Sequence, residues 1–185
     1  MKIAIVTATF PPYIGGMGNS AYEIARLLAM QNQVTVFTPF CHCERNEVER
    51  SNPCPPDRHV CNGNLKIEYI KPTLQIGKGA VLLKLWQELK EFDLLYLHYP
   101  FFGTTEIIWL FKLLNPKIKL IIHFHMDTPA LSWKMKILSL PSLIIKKSLF
   151  KRADKVISAS LDYVAHSSIK KYFLWKKTRF YDSHS

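Results

Sequence analysis

The chain has 185 residues, 48% of them hydrophobic, so one α/β domain with a sizeable core is feasible and two full domains are not. No apolar run approaches the roughly 18 residues of a membrane-spanning helix, and the proline-containing N-terminal turn offers no signal-peptide cleavage site. The net charge of +11 indicates an anionic partner. No recognised nucleic-acid-binding motif accompanies that charge, so we do not expect nucleic acid to be the partner. Because the sequence shows neither a membrane span nor a cleavage site, we expect a cytoplasmic protein.

A strand and a glycine-containing turn are predicted at the start of the chain. Residues 2–8 carry the apolar run expected of a parallel strand buried on both faces. Pro11 and Pro12 forbid its continuation. The glycines that follow permit positive φ and a close approach of the backbone to a ligand; they are Gly15, Gly16 and Gly18.

A helix is predicted next, over Asn19–Gln31, opened by a capping box between Ser20 and Glu23. A loop between a buried strand and a helix N-terminus suits an anion, because N–H groups and the helix dipole converge there. A tight turn that serves only helix–sheet packing is the alternative. The second strand, Val34–Thr38, ends without the acidic residue of a dinucleotide site, and no Walker motif is present.

All four cysteines lie within Cys41–Asn64, a polar and proline-rich segment without periodicity. Cysteine and histidine are zinc ligands, but the spacing of Cys41, Cys43, Cys54 and Cys61 matches no standard zinc pattern. We therefore expect a loop insertion over residues 41–64, and neither a metal site nor a cofactor.

Strands and helices are then predicted to alternate along the rest of the chain. The predicted strands are Leu65–Ile70, Asp93–Tyr99, Lys117–His125 and Lys155–Ala159. The predicted helices are Ala80–Phe92, Thr104–Leu114, Ala130–Ala153 with a break at Pro141, and a last helix capped by Ser160 and reaching about Tyr172. This alternation predicts one Rossmann-like, doubly wound, mostly parallel sheet flanked by helices.

Polar side chains follow several of these strands, at the edge where such sheets bind ligands. His98 and Tyr99 end one strand, His125 and Asp127 follow another, and Ser160 follows the last. We expect His125 and His123 to face opposite sides of their strand, with His125 in the site and Asp127 able to orient it. A backbone-bonded His98 and a helix-capping Asp127 are the alternatives.

Four segments resemble the N-terminal domain of the family-4 retaining glycosyltransferases, which have two Rossmann domains (GT-B type). They are Phe10–Gly18, Asp93–His98, Ile121–Asp127 and Ala153–Ser160. The resemblance spans nearly the whole chain outside residues 41–64. It implies the N-terminal half of a GT-B fold over residues 1–175.

The resemblance also implies an activity and a set of site residues. The activity is transfer of a sugar from a nucleotide-sugar donor to a glycan, cell-envelope or lipid-linked acceptor. The implied catalytic residues are His125 and Asp127. The implied substrate-binding residues are Gly15, Gly16, Met17, Gly18, His98, Tyr99 and Ser160.

The segment between Leu131 and Lys155 is both basic and apolar, and it has two interpretations. A core helix with a solvated basic face is the simpler interpretation. Docking of its apolar face and lysines onto anionic lipid, at the inner face of the plasma membrane, is the alternative.

Retaining transfer also needs a second domain that holds the nucleotide sugar, and residues 176–185 are expected to be a truncated linker. Three hypotheses follow for the chain as it stands. It is an acceptor-side domain, inactive without a separate donor-domain chain; or a non-catalytic module that binds a phosphorylated sugar or an anionic membrane; or a non-functional gene remnant.

Overall fold

A computed structural model describes residues 1–11, 15–39, 60–61, 63–76, 79–127, 144–158 and 160–173. Its strands are β1 (Lys2–Val6), β2 (Gln33–Pro39), β3 (Val60–Cys61), β4 (Leu65–Ile70), β5 (Leu74–Ile76), β6 (Gly79–Val81), β7 (Leu94–Tyr99), β8 (Lys119–Phe124) and β9 (Lys155–Ser158). Its helices are α1 (Gly16–Ala29), α2 (Leu85–Glu88, followed by a 3₁₀ turn over Leu89–Glu91), α3 (Thr104–Leu114), α4 (described over residues 144–152) and α5 (Leu161–Ala165). A last helical turn covers residues 170–173. None of the helices described has the length and apolarity to cross a membrane.

The main sheet has the strand order β3-β4-β2-β1-β7-β8-β9. Six of its strands are parallel, and only the two-residue β3 pairs antiparallel, with β4. The chain moves outward from β1 in one direction through β2 and β4, then returns to β7 and continues to β9. This order confirms the predicted Rossmann-like α/β fold, and it puts the change of direction between β1 and β7, where such sheets bind ligands.

Helices cover both faces of the sheet. Ile3 and Ile5 of β1 and Tyr96 of β7 pack in one cluster with Ala21 and Ala25 of α1. We call this side the α1 face. The alternate residues of the same strands pack with α2, α3 and α4 on the other face. Because side chains alternate along a strand, Tyr96 and His98 share the α1 face.

Several predicted boundaries are confirmed and others are wrong. The predicted bounds of β4 and α3 agree with the structure. The helix predicted over Ala80–Phe92 is wrong at its start, because Ala80 and Val81 pair with β5 instead. The backbone of Ala80 also bonds outside its own segment, with the Phe102 carbonyl at 3.0 Å and the Thr104 hydroxyl at 2.6 Å. These long-range bonds outweigh the local helical spacing.

The N-terminal helix also differs from its prediction. It begins at Gly16, three residues earlier than predicted, so Ser20 lies within the helix and the predicted capping box is wrong. The three glycines do not use the positive φ that they permit: Gly15 is extended at φ −176°, and Gly16 and Gly18 are helical. At Gly16 the missing side chain leaves open space instead, since a Cβ there would meet nothing within 4 Å.

A buried lysine fastens α3 to the start of β8 and β9. The Lys112 ammonium donates to the carbonyls of Pro116 at 3.1 Å and Ile118 at 2.5 Å. It also lies 3.0 Å from a carboxylate oxygen of Asp154, which accepts a bond from the backbone N–H of Leu120 at 2.7 Å. The acid of the predicted Ala153–Ser160 motif is therefore part of the framework at the amino edge of the sheet, away from the predicted site.

Candidate functional site

Three histidines converge at the carboxyl ends of β7 and β8, on the α1 face. We call His98, His123 and His125 the histidine cluster. The parallel register places His98 beside His123, and the His125 N–H donates to the Tyr99 carbonyl at 3.0 Å, one step past the end of β8. The sheet therefore brings together the two histidines that the sequence predicts for the site.

The three rings are in mutual contact. The rings of His123 and His125 stack with centroids 4.3 Å apart, and those of His98 and His125 with centroids 5.0 Å apart. Nδ1 of His98 lies 2.8 Å from Nε2 of His125, which is a hydrogen bond. Nδ1 of His123 lies 3.2 Å from the hydroxyl of Tyr96. The cluster is therefore one connected group with a tyrosine at its inner end.

The predicted orientation of His123 is wrong. Side chains alternate between the faces of a strand, so residues two apart, such as His123 and His125, lie on the same face. The same spacing relates Tyr96 to His98. His123 and Tyr96 are therefore site residues that the sequence analysis missed, although the strand period alone contains the signal.

Burial keeps the cluster uncharged near neutral pH. His98 is fully buried, and burial, followed by the neighbouring His125 and His123, holds its pKa well below the usual range. Burial likewise lowers the pKa of His123, and it lowers that of His125 to about 4, helped by His123. Burial raises the pKa of the Tyr96 hydroxyl to about 12. At neutral pH these groups can exchange hydrogen bonds with a ligand, but His125 is a neutral imidazole rather than an imidazolium and so does not serve as a general acid.

Asp127 lies beyond His125, and its carboxylate is bonded elsewhere. Lys146 of α4 donates to one oxygen at 2.9 Å, and the hydroxyl of Ser168 donates to the same oxygen. The backbone N–H of Ser168 donates to the other oxygen at 3.0 Å. Burial raises the pKa of Asp127, but the bonds from Ser168 and Lys146 outweigh this effect and leave the pKa lowered. The described bonds of this carboxylate hold the backbone around the site and do not reach His125.

Two other predicted residues have structural contacts. Tyr99 is 1% exposed and lies on the face opposite the cluster, where its ring packs on Phe124 and Phe150. The Ser160 hydroxyl accepts the Tyr163 N–H at 3.1 Å and so caps α5, as the sequence predicts for this position.

The glycine loop leads into α1 at the same edge of the sheet, directly after β1. The first bond within the helix joins the Asn19 N–H to the Gly15 carbonyl at 2.9 Å. The N–H groups of Gly16, Met17 and Gly18 therefore have no partner within the helix. No acidic side chain lies in this first turn, and no side chain caps it among the described residues, which therefore leave its partial positive charge unneutralised.

Other predicted features lie outside the described residues. These are the cysteines Cys41, Cys43 and Cys54, most of the insertion over residues 41–64, Pro12, the helix predicted from Ala130 through Pro141 to residue 143, and the linker over residues 176–185.

A cavity of about 590 Å³ at the amino edge of the sheet is a competing location. It is lined by Met1, Lys2, Gln33 and Asp93, among others. Parallel α/β sheets bind ligands at the carboxyl edge, where the histidine cluster lies, so the amino-edge cavity is the weaker candidate.

Comparison with known proteins identifies the family. The family model described as Glycosyltransferase Family 4 matches residues 14–174, which is most of the chain. This chain belongs to Glycosyltransferase Family 4. The matched range includes the start of α1, the whole histidine cluster and α5, and it confirms the resemblance drawn from the sequence. Membership in Glycosyltransferase Family 4 implies sugar substrates in general. No curated protein matches the chain.

Proposed function

We propose that this chain forms the acceptor-side wall of a glycosyltransferase that moves a sugar from a nucleotide-sugar donor to a cell-envelope or lipid-linked acceptor. The observation that carries the proposal is the buried, neutral histidine cluster at the ligand-binding edge of a family-4 domain. Neutral imidazoles suit sugar hydroxyls, because each ring offers one donor and one acceptor without attracting counter-ions. An ionic ligand would be bound better by charged side chains than by three neutral rings.

We assign each residue a role according to its chemistry. His125 is the most exposed of the cluster and is placed to hydrogen-bond the transferred sugar, while His98 holds its ring through the 2.8 Å bond. The N–H groups of Gly16–Gly18 suit an anionic group of either substrate. Retaining transfer stabilises a departing nucleotide diphosphate and an oxocarbenium-like centre, so these groups act by preorganised polarity. We infer that a second, donor-binding domain supplies the opposite wall, in the same or another polypeptide.

The test joins this chain to the nucleotide-sugar domain of a family-4 enzyme with a known donor, and measures transfer of labelled sugar to a lipid extract. Loss of one polar group that contacts the reacting sugar costs about a hundredfold in rate, so we expect His125→Ala to lower transfer by about that factor. His166→Ala is the matched control, because the side chain of His166 is 81% exposed and distant in sequence from β8.

Two results would contradict the proposal. One is transfer that His125→Ala leaves unchanged. The other is saturable binding of a phosphorylated sugar with no transfer by the chimaera, weakened by Gly16→Val. A Cβ at Gly16 would meet nothing within 4 Å, so this substitution fills the space in front of the helix without a clash in the fold. That second result would favour a non-catalytic binding module, which the uncapped start of α1 supports as an alternative.

The exposed side of α4 favours contact with an anionic membrane. Ile144 is 71% exposed, and the exposed Lys147 and Lys151 follow it at helical spacing. Each lysine near an anionic surface contributes about 1 kcal/mol, so Lys147→Glu should weaken binding to phosphatidylglycerol vesicles at least about fivefold in a flotation assay. Lys119→Glu, at the opposite edge of the sheet, is the control. Equal losses in both variants would indicate attraction by net charge alone and would contradict a docking face.

A further inference from the structure

Two ring nitrogens in the histidine cluster are buried and have no hydrogen-bond partner among the residues that the structure describes. They are Nε2 of His98 and Nε2 of His123, in residues that are 0% and 6% exposed. A buried polar atom left unpaired loses its hydrogen bonds to water without replacement, so native proteins seldom keep two of them in adjacent rings without a purpose. Both atoms belong to side chains that are more buried than that of His125, and the sugar contact proposed for His125 does not account for them.

The cluster has the composition of a metal site. One ring nitrogen from each histidine can be chosen so that all three atoms lie within 4.8 Å of one another. Imidazole is the commonest metal-binding side chain in proteins. The neutral form is the one that binds transition metals.

The second ring nitrogen of His123 already has the partner that a ligand histidine needs. Metal-bound histidines usually use their other nitrogen to bond an outer group, which sets the tautomer and the ring orientation. Nδ1 of His123 lies 3.2 Å from the Tyr96 hydroxyl. A bond from Nδ1–H to the Tyr96 oxygen leaves Nε2 of His123 with a lone pair for a metal.

We propose that His98, His123 and His125 bind one Zn²⁺ ion at the carboxyl edge of the sheet, with Tyr96 as the outer partner of His123. Zn–N bonds of 2.0–2.1 Å in a tetrahedron place the nitrogens about 3.4 Å apart, so the stacked rings must turn toward one another on binding. The ion then replaces the bond between His98 and His125 as the contact that holds the His125 ring, and the neutral rings bind it through their lone pairs without loss of a proton. This site differs from the expectation of no metal, which rested on the spacing of the cysteines. It does not depend on the proposed transfer activity.

The test uses the full chain with the four cysteines changed to serine, since cysteine thiolates are competing zinc ligands. We expect this chain to retain one Zn²⁺ after dialysis against metal-free buffer, measured by metal analysis. Competition with a chromophoric chelator should show His123→Gln to bind more than about a hundredfold more weakly, and Tyr96→Phe about tenfold. His166→Gln, which removes an exposed imidazole, should bind as the parent does.

Two outcomes would overturn the inference: no Zn²⁺ bound by the cysteine-free chain, or equal affinities for that chain and its His123→Gln variant. Circular dichroism of each variant separates lost ligation from lost folding. If the serine changes prevent folding, the wild-type chain is titrated with Co²⁺ instead. A visible band without thiolate charge transfer, lost in His123→Gln, supports the site; a thiolate band that persists in His123→Gln overturns it. A zinc-binding chain whose chimaera transfers no sugar would contradict only the proposed function.

Discussion

Replacing Gly103 with alanine is expected to lower the free energy of unfolding by about 3 kcal/mol, from backbone strain and overpacking together. Gly103 precedes α3 at φ +86° and ψ −42°, a conformation that side chains with a Cβ rarely adopt. A Cβ there would lie 2.8 Å from the carbonyl oxygen of Ala80 and 2.8 Å from a methyl group of Val81. The first contact is with backbone, so it cannot be relieved by a change of rotamer.

The clash would spread to the β6–α3 junction. The Ala80 carbonyl accepts the Thr104 hydroxyl at 2.6 Å, and its N–H donates to the Phe102 carbonyl at 3.0 Å. Moving Ala80 to admit a Cβ would break both bonds. Urea denaturation should therefore show a lower midpoint for Gly103→Ala. Gly16→Ala is the control, because its Cβ meets no atom within 4 Å; a matching loss in that variant would contradict the steric explanation.

Acidification is expected to destabilise the chain before its carboxylates are protonated. The pKa of His125 falls from 6.5 to about 4 on folding, so the unfolded state binds more protons below pH 6.5 and gains stability as the pH falls. Between pH 6.5 and about 5 this costs about 1 kcal/mol for His125 after allowance for its partial exposure. His98 and His123 shift in the same direction and add to the loss. Asp127 acts only at lower pH, because its lowered pKa makes its contribution disappear below 3.8.

The measurement is the free energy of unfolding by urea at several pH values, in the presence of a chelator. The double variant His98→Gln, His125→Gln should show a smaller decrease between about pH 7 and pH 5 than the wild type. His166→Gln should retain the wild-type decrease, because this side chain is 81% exposed and is not part of the histidine cluster. If the free energy of unfolding of the double variant decreases as much as that of the wild type, other groups cause the effect and the prediction is wrong.

The order of strands and helices was predictable because local patterns determine it. Buried parallel strands such as β7 are continuous apolar runs, and α3 is bounded by a change of composition on each side. The β5–β6 hairpin was missed because its residues follow no strand period and depend on contacts with Phe102 and Thr104. The start of α1 was misplaced because an uncapped glycine turn lacks the side-chain signal that marks most helix N-termini.

The position of the candidate site was predictable, whereas its connections were only partly so. That His98 and His125 meet follows from the parallel neighbours β7 and β8, and the sequence predicted both residues. His123 and Tyr96 could also have been assigned to the site from the sequence, because residues two apart on a strand lie on the same face. The bonds from Lys146 and Ser168 to Asp127 join residues 19 and 41 positions apart, and no local pattern encodes such pairs.

The bonds of the Asp127 carboxylate restrict which part of the candidate site can move. It joins the end of β8 to α4 through Lys146 and to the segment after α5 through Ser168. The Asp127 N–H is also held, by the Tyr163 hydroxyl at 2.9 Å. These bonds fix the end of β8 to its neighbours, so this part of the site resists displacement when a substrate binds. In the proposed enzyme, we therefore infer that the movement enclosing the sugar comes from the donor-binding domain, which would close on this fixed surface.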